Sequence, residues 1–210
     1  MTTNKASTTR LDYNLVLILF LLFLASCISI YSAQKTGQYK ENFLIKQFVW
    51  YLVGSGIIAS VITLDSDQLK KLSWYAYGFG LFLLGFLLIA PESIAPVING
   101  AKSWYKVPGL GSLQPSEFVK VFIILALARA IVEHHQKYRV KTVQTDLWLM
   151  AKLGLITMFP LLLVMQQPDL GTSLVFIAIL LGMLFISGVS WRILVPIFSV
   201  GSVIIATIFY

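Results

Sequence analysis

The chain has 210 residues, 58% of them hydrophobic and 12% charged, and its mean hydropathy of +0.83 lies outside the range of ordinary soluble domains. Its net charge of +7 comes from basic residues scattered between apolar runs, with no dense patch, which argues against nucleic acid and leaves anionic membrane lipids as the fitting partner. The single cysteine, Cys27, excludes an internal disulfide.

A bilayer core about 30 Å thick is crossed by roughly 20 apolar helical residues. Seven runs of that kind predict spanning helices at 13–33, 44–64, 72–90, 117–132, 148–166, 171–188 and 191–210. The expected fold is therefore all-α, a polytopic membrane helix bundle forming one transmembrane domain, with no room for a soluble domain between spans.

In the first span, Leu24-Ala25-Ser26-Cys27 resembles a lipoprotein cleavage box, but the apolar run continues through Ile28, Ile30 and Tyr31. That favours a retained helix. In the second, Ser55 with Ala59 and Gly56 with Ser60 place small residues four apart, which suits close helix packing.

Between the third and fourth spans lies NGAKSWYKVPGLGSLQPSEFVK, Asn99 to Lys120. Trp104 and Tyr105 sit between Lys102 and Lys106 in a glycine-punctuated loop. Interfacial belt aromatics are the commoner role for such a pair, and beside it stands a loop that can set a sugar against an aromatic face and a phosphate against cations; Lys102 and Ser103 carry no fixed role. Pro115 suits the first position of the fourth helix, with Gln114 as its cap and Glu117 able to reach back to the cap amide. Lys120 has no such local reason. A cation in the first turns opposes the helix dipole and costs up to about 2.5 to 3.5 kcal/mol inside the apolar zone. Glu117 and Lys120 share a face and can pair, and intramembrane ionisable groups mark function, so the pair is read as part of a site.

The segment 133–146, with His134 and His135, reads as a solvated loop. Adjacent histidines on a helix point about 100° apart and do not share a metal. Pro160 and Pro196 are expected to kink their helices. Asp169, after Pro168 and before Gly171 and Thr172, is placed to cap the sixth helix; a role in a site stands beside that reading. The seventh run stays apolar to Tyr210, which leads us to expect the N-terminal part of a longer protein.

Orientation follows from the loops: with a cytoplasmic N-terminus, eight loop Lys/Arg fall inside against four outside. The Asn99–Lys120 stretch and Gln166–Asp169 then share the outer face. Cations, amides, aromatics and a carboxylate paired with lysine, all beside apolar helices, suit a lipid that carries phosphate and sugar.

These motifs resemble the SEDS family (shape, elongation, division and sporulation). The resemblance rests on N-G-A-K-S-W, G-x-G-S-L-Q-P-S-E-F-V-K at Gly109–Lys120, A-R-A-I at Ala128–Ile131 and Q-P-D-L-G-T at Gln167–Thr172. The L-D-Y to I-Y-S-A run, Leu11 to Ala33, is closer to the elongation branch. The resemblance implies about ten spanning helices in the complete protein, a bacterial inner-membrane location, and a peptidoglycan glycosyltransferase of cell-wall elongation and cell shape. Such an enzyme polymerises lipid II onto an undecaprenyl diphosphate-linked glycan beside a class B penicillin-binding protein. It further implies a cavity formed by Glu117, Lys120, Trp104, Gln114 and Asp169, and a catalytic aspartate in an outer loop beyond Tyr210, so no catalytic residue is named and the 210 residues alone are expected to be inactive. No cofactor or metal site is evident, and a divalent cation is left open. A lipid-precursor flippase, or a non-catalytic membrane partner of a transpeptidase, is the alternative.

Overall fold

The computed structural model describes residues 12–35, 42–98, 100–109, 111–196, 199 and 207. Lys5, Arg10 and Lys40 of the charge count, Asn99, and most of the expected seventh span lie outside the described residues. Of that span, residues 191–196 are helical. The chain divides into two compact units, Met1–Asp65 and Ser66–Tyr210.

The first unit is a helical hairpin of α1 (Tyr13–Gln34) and α2 (Phe43–Ile62). Asp12 and Asn42 cap the two helices by accepting backbone N–H groups of their first turns. Helix α1 runs unbroken through Cys27. The two helices are joined by Gln47 Nε2 donating to Ser26 Oγ at 2.9 Å and by Phe23 edge-on to Phe48 and Tyr51. The small residues expected to pack closely do otherwise: Ser55 and Ala59 line an apolar groove, and nothing lies within 4 Å of where a Cβ on Gly56 would sit.

The second unit contains α3 (Ser66–Ile89), a two-stranded hairpin of β1 (Tyr105–Val107) and β2 (Gly111–Leu113), α4 (Pro115–Lys137), α5 (Val143–Met165) and α6 (Leu170–Ile186). Helix α4 is its hub, in contact with α3, α5 and α6. Its Val119, Ile123, Ala126, Leu127 and Ala130 are fully buried, spaced at the three- and four-residue steps of one helix face. They meet Tyr77 and Leu84 of α3, Leu149 and Leu153 of α5, and Phe176 of α6 in one apolar core.

Among the described residues four helices, α1, α2, α3 and α5, are long and apolar enough to cross a membrane. Helix α6 is apolar but has 17 residues, and α4 carries the charges Glu117, Lys120, Arg129, Glu133 and Lys137.

Two contacts fix the approach of α3. A Cβ on Gly80 would come within 2.9 Å of Val119 Cγ2, so only glycine permits α3 and α4 to lie this close. Deeper in, Tyr77 donates its hydroxyl to Ile156 O at 2.7 Å. That carbonyl lies four residues before Pro160, which has no N–H to offer it. The tyrosine of α3 thus satisfies the acceptor that the proline of α5 orphans.

At the end of the unit where α4 finishes, the helices overrun their expected bounds. Helix α3 starts at Ser66 rather than 72, with Lys70 paired to Asp67 at 2.9 Å. Helix α4 continues to Lys137, and α5 starts at Val143 behind a Thr142–Thr145 capping box. The expected solvated loop therefore shrinks to 138–142. His134 is buried, with its ring beside Tyr138. His135 Nε2 lies 2.8 Å from Ser187 O and Lys141 donates to Gly188 O at 3.2 Å, so these two side chains meet carbonyls at the C-terminal end of α6, while 139–142 stay exposed as expected. Glu133 bridges Arg129 at 2.6 Å and Lys152 at 3.5 Å, and Arg129 also donates to Lys70 O. Among the described residues no cluster of His, Cys, Asp or Glu is arranged to hold a metal.

Two measurements in detergent check this packing. Gly80→Val is expected to destabilise the protein by about 1–3 kcal/mol and Gly78→Val, which meets open space, by under about 0.5 kcal/mol. Tyr77→Phe is expected to cost about 1–3 kcal/mol, and less than half of that in a Pro160→Ala background, where the helix regains its own donor; equal costs in both backgrounds would refute the proposed pairing.

Candidate functional site

The site is built on the loop that leaves α3. Lys102 donates to Leu88 O at 3.2 Å and to Ala90 O. This ammonium therefore satisfies the terminal carbonyls of α3, where the dipole favours a cation, and it is not the phosphate-facing group its sequence neighbours suggested. The strands β1 and β2 pair antiparallel, Tyr105 opposite Leu113 and Val107 opposite Gly111. Gly109 and Gly111 carry the positive φ angles, 78° and 105°, that the turn requires. Tyr105 donates to Leu83 O at 2.7 Å and stacks on Phe86. It anchors the hairpin to α3, while its neighbour Trp104 lines a cavity.

A second anchor comes from the turn between α5 and α6. Gln167 is buried and donates to Leu84 O at 3.2 Å, and its own carbonyl accepts from Ser103 Oγ at 3.3 Å. The two polar stretches that the sequence separates by about 50 residues are thereby held side by side.

Between them lies a cavity of about 700 Å³. All five residues singled out in the sequence, Trp104, Gln114, Glu117, Lys120 and Asp169, are in its lining, together with Thr172. Lys120 Nζ lies 2.8 Å from Glu117 Oε2, with the lysine side chain 23% exposed and the glutamate 55%. Pro115 occupies the start of α4 as expected, but Gln114 makes no side-chain capping bond. Its amide donates to Asp169 Oδ2 at 2.8 Å instead, and the Glu117 carboxylate turns to Lys120 rather than back to the cap. Asp169 caps α6, accepting from Thr172 N at 3.0 Å and from Thr172 Oγ1 at 2.8 Å. One aspartate thus ends the α6 cap and the α4 lead-in on a single carboxylate.

Thr172 was not singled out as a site residue. Its place three residues after Asp169, ahead of an apolar run, is the capping signature that identifies it. Ser103 and Gln167 carried no such signal, because their roles are bonds to backbone carbonyls remote in sequence. Chemically, the described lining offers one cation, two carboxylates, an amide, two hydroxyls and an indole face beside apolar helices. Such a set can grip sugar hydroxyls, stack a ring and hold an anion.

A family described as cell cycle proteins, covering FtsW, RodA and SpoVE, matches residues 9–210. The chain is 34% identical to the peptidoglycan glycosyltransferase RodA of Treponema pallidum over 95% of its own length and 43% of that protein. It is 33% identical to a probable peptidoglycan glycosyltransferase FtsW of Dichelobacter nodosus, over 86% of its length and 44% of the relative, and 30% identical to stage V sporulation protein E of Bacillus subtilis, over 90% and 50%. The chain thus spans half or less of the length of these relatives. Among solved structures, a chain reported for structural coordination of polymerization and crosslinking by a peptidoglycan synthase complex superposes with a TM-score of 0.69 at 27% identity, over 94% of this chain and 54% of that one.

The joint role of Asp169 sets an expectation for stability. Asp169→Ala loses the cap and the Gln114 contact and should cost about 1–3 kcal/mol, whereas Asp169→Asn keeps the capping oxygen and should cost under about 1 kcal/mol. Thermal unfolding of the purified variants reads both; an alanine variant as stable as the parent would contradict the bonding described.

Proposed function

The chain belongs to the FtsW/RodA/SpoVE family of cell cycle proteins, and on that footing we propose that it forms the lipid-binding part of a peptidoglycan glycosyltransferase that polymerises lipid II. The convergence of Trp104, Gln114, Glu117, Lys120 and Asp169 on one cavity beside apolar helices carries the reading. Relatives named as peptidoglycan glycosyltransferases support it.

In the proposed reaction the 4-hydroxyl of one disaccharide attacks the anomeric carbon of a lipid-linked glycan, and undecaprenyl diphosphate leaves. The departing diphosphate needs positive charge, and Lys120 is the cation of the cavity lining. Trp104 offers a face to a sugar ring. Gln114 and Asp169 lock the starts of α4 and α6 together, which holds Lys120 in place. The general base that takes the hydroxyl proton is assigned to an aspartate outside these 210 residues.

The protein is a multi-pass membrane protein, and we place it in the bacterial inner membrane with its N-terminus in the cytoplasm and the cavity facing outward. A class B penicillin-binding protein is the proposed partner, which would crosslink the glycan as it forms. A lipid-precursor flippase would use the same cavity without a base, so polymer formation separates the two readings.

In the complete protein, Glu117→Ala and Lys120→Ala are each expected to lower lipid II polymerisation about 10- to 100-fold while leaving membrane insertion intact. Gel analysis of glycan chains made by the purified variants checks this, and normal synthesis by both would defeat the assignment.

A further inference from the structure

The charges in the cavity do not add up in favour of an anion. Its lining carries two carboxylates, Glu117 and Asp169, against the single ammonium of Lys120. A diphosphate entering that lining meets net repulsion unless one carboxylate withdraws.

Asp169 is not free to do so. Its carboxylate accepts from Thr172 N, Thr172 Oγ1 and Gln114 Nε2, and withdrawal would uncap α6 and release α4 together. Glu117 differs on every count. Among the described residues its carboxylate is held by Lys120 alone, across 2.8 Å, and its side chain is 55% exposed. A half-exposed pair of this kind is weak, because water competes for both partners. Lys120 is the more enclosed member, 23% exposed, and its stem is set among the first turns of the buried α4 hub, so the glutamate is the partner able to move.

We infer that Glu117 is an exchangeable counter-ion: it holds the Lys120 ammonium until a diphosphate takes the ammonium over, and the freed carboxylate then swings toward solvent and the sugar. The inference rests on the proposed function, since it presupposes a diphosphate-bearing ligand in this cavity. It accounts for the placing of an acid one turn before the lysine. Without Glu117 an ammonium near the positive pole of α4 would stand uncompensated in an apolar zone; with a tightly held acid it would never be released to the ligand.

The test is binding of farnesyl diphosphate, with inorganic pyrophosphate as the second arm, to the complete protein in phosphatidylcholine nanodiscs. Glu117→Gln is expected to bind farnesyl diphosphate about five-fold more tightly than the parent. Glu117→Ala, which removes the same charge with a different residual shape, should share the gain. Lys120→Gln should bind more weakly, and the double variant Glu117→Gln/Lys120→Gln should match Lys120→Gln alone, since the glutamate acts only through the lysine. The same rank order with pyrophosphate supports the exchange with the diphosphate group itself as the determinant. Weakened or unchanged binding by both Glu117 variants, with Lys120→Gln still weaker than the parent, overturns the exchange and leaves the cavity assignment standing. Unchanged binding by Lys120→Gln as well removes the cavity assignment and the exchange together.

Discussion

A lysine near the N-terminal pole of a packed helix is the constraint around which the second unit is arranged. The dipole of α4 is positive where Lys120 sits, and apolar surroundings raise the cost of its charge. Glu117, one turn earlier, offsets that cost through a direct ion pair. The pair lies at the edge of a cavity instead of facing the apolar core, while the opposite face of the same helix is fully buried by Val119, Ile123 and Ala126. Helix α4 thus combines a core face that cannot shift with a polar face that a ligand can reach.

The surrounding bonds hold that geometry from three sides. Gly80 allows α3 to approach α4 at van der Waals distance. Tyr77 ties α3 to α5 at the carbonyl that Pro160 leaves without a donor. Asp169 joins the start of α6 to Gln114, the residue before α4. Most of these contacts satisfy a backbone group that would otherwise be buried without a partner, which is expensive in a protein interior and more so near lipid. The loop that carries Trp104 obeys the same logic, since Lys102 and Tyr105 both spend their polar ends on carbonyls of α3.

The helices were legible because length and hydropathy decide them: the α1 and α6 bounds fall within two residues of the expected ones. Errors gathered where a polar side chain had a choice of partner. Gln114 does stand at the N-cap of α4 as its sequence suggests, yet its side chain makes no capping bond, because an acceptor 55 residues away takes its amide. Lys102 has no role that its sequence fixes, and the end of a neighbouring helix claims it. His134 and His135 read as loop residues because their neighbours are hydrophilic, but both lie in the last turn of α4, where His134 is buried beside Tyr138 and His135 meets a carbonyl at the end of α6. The pairing of Glu117 with Lys120 was legible, since a three-residue step on a helix needs no tertiary information. The β hairpin was not, because three-residue strands held by glycine turns leave little pattern in a sequence.

The account stands on the claim that Lys120 and its neighbours face a lipid-borne diphosphate. Photo-crosslinking of the complete protein in membranes with a benzophenone-bearing isoprenyl diphosphate, followed by peptide mapping, tests it most directly. The account predicts adducts on peptides carrying Trp104, Glu117 to Lys120 and Thr172, suppressed by excess unlabelled isoprenyl diphosphate. Adducts confined to lipid-facing residues outside the cavity, unchanged by the competitor, would contradict it.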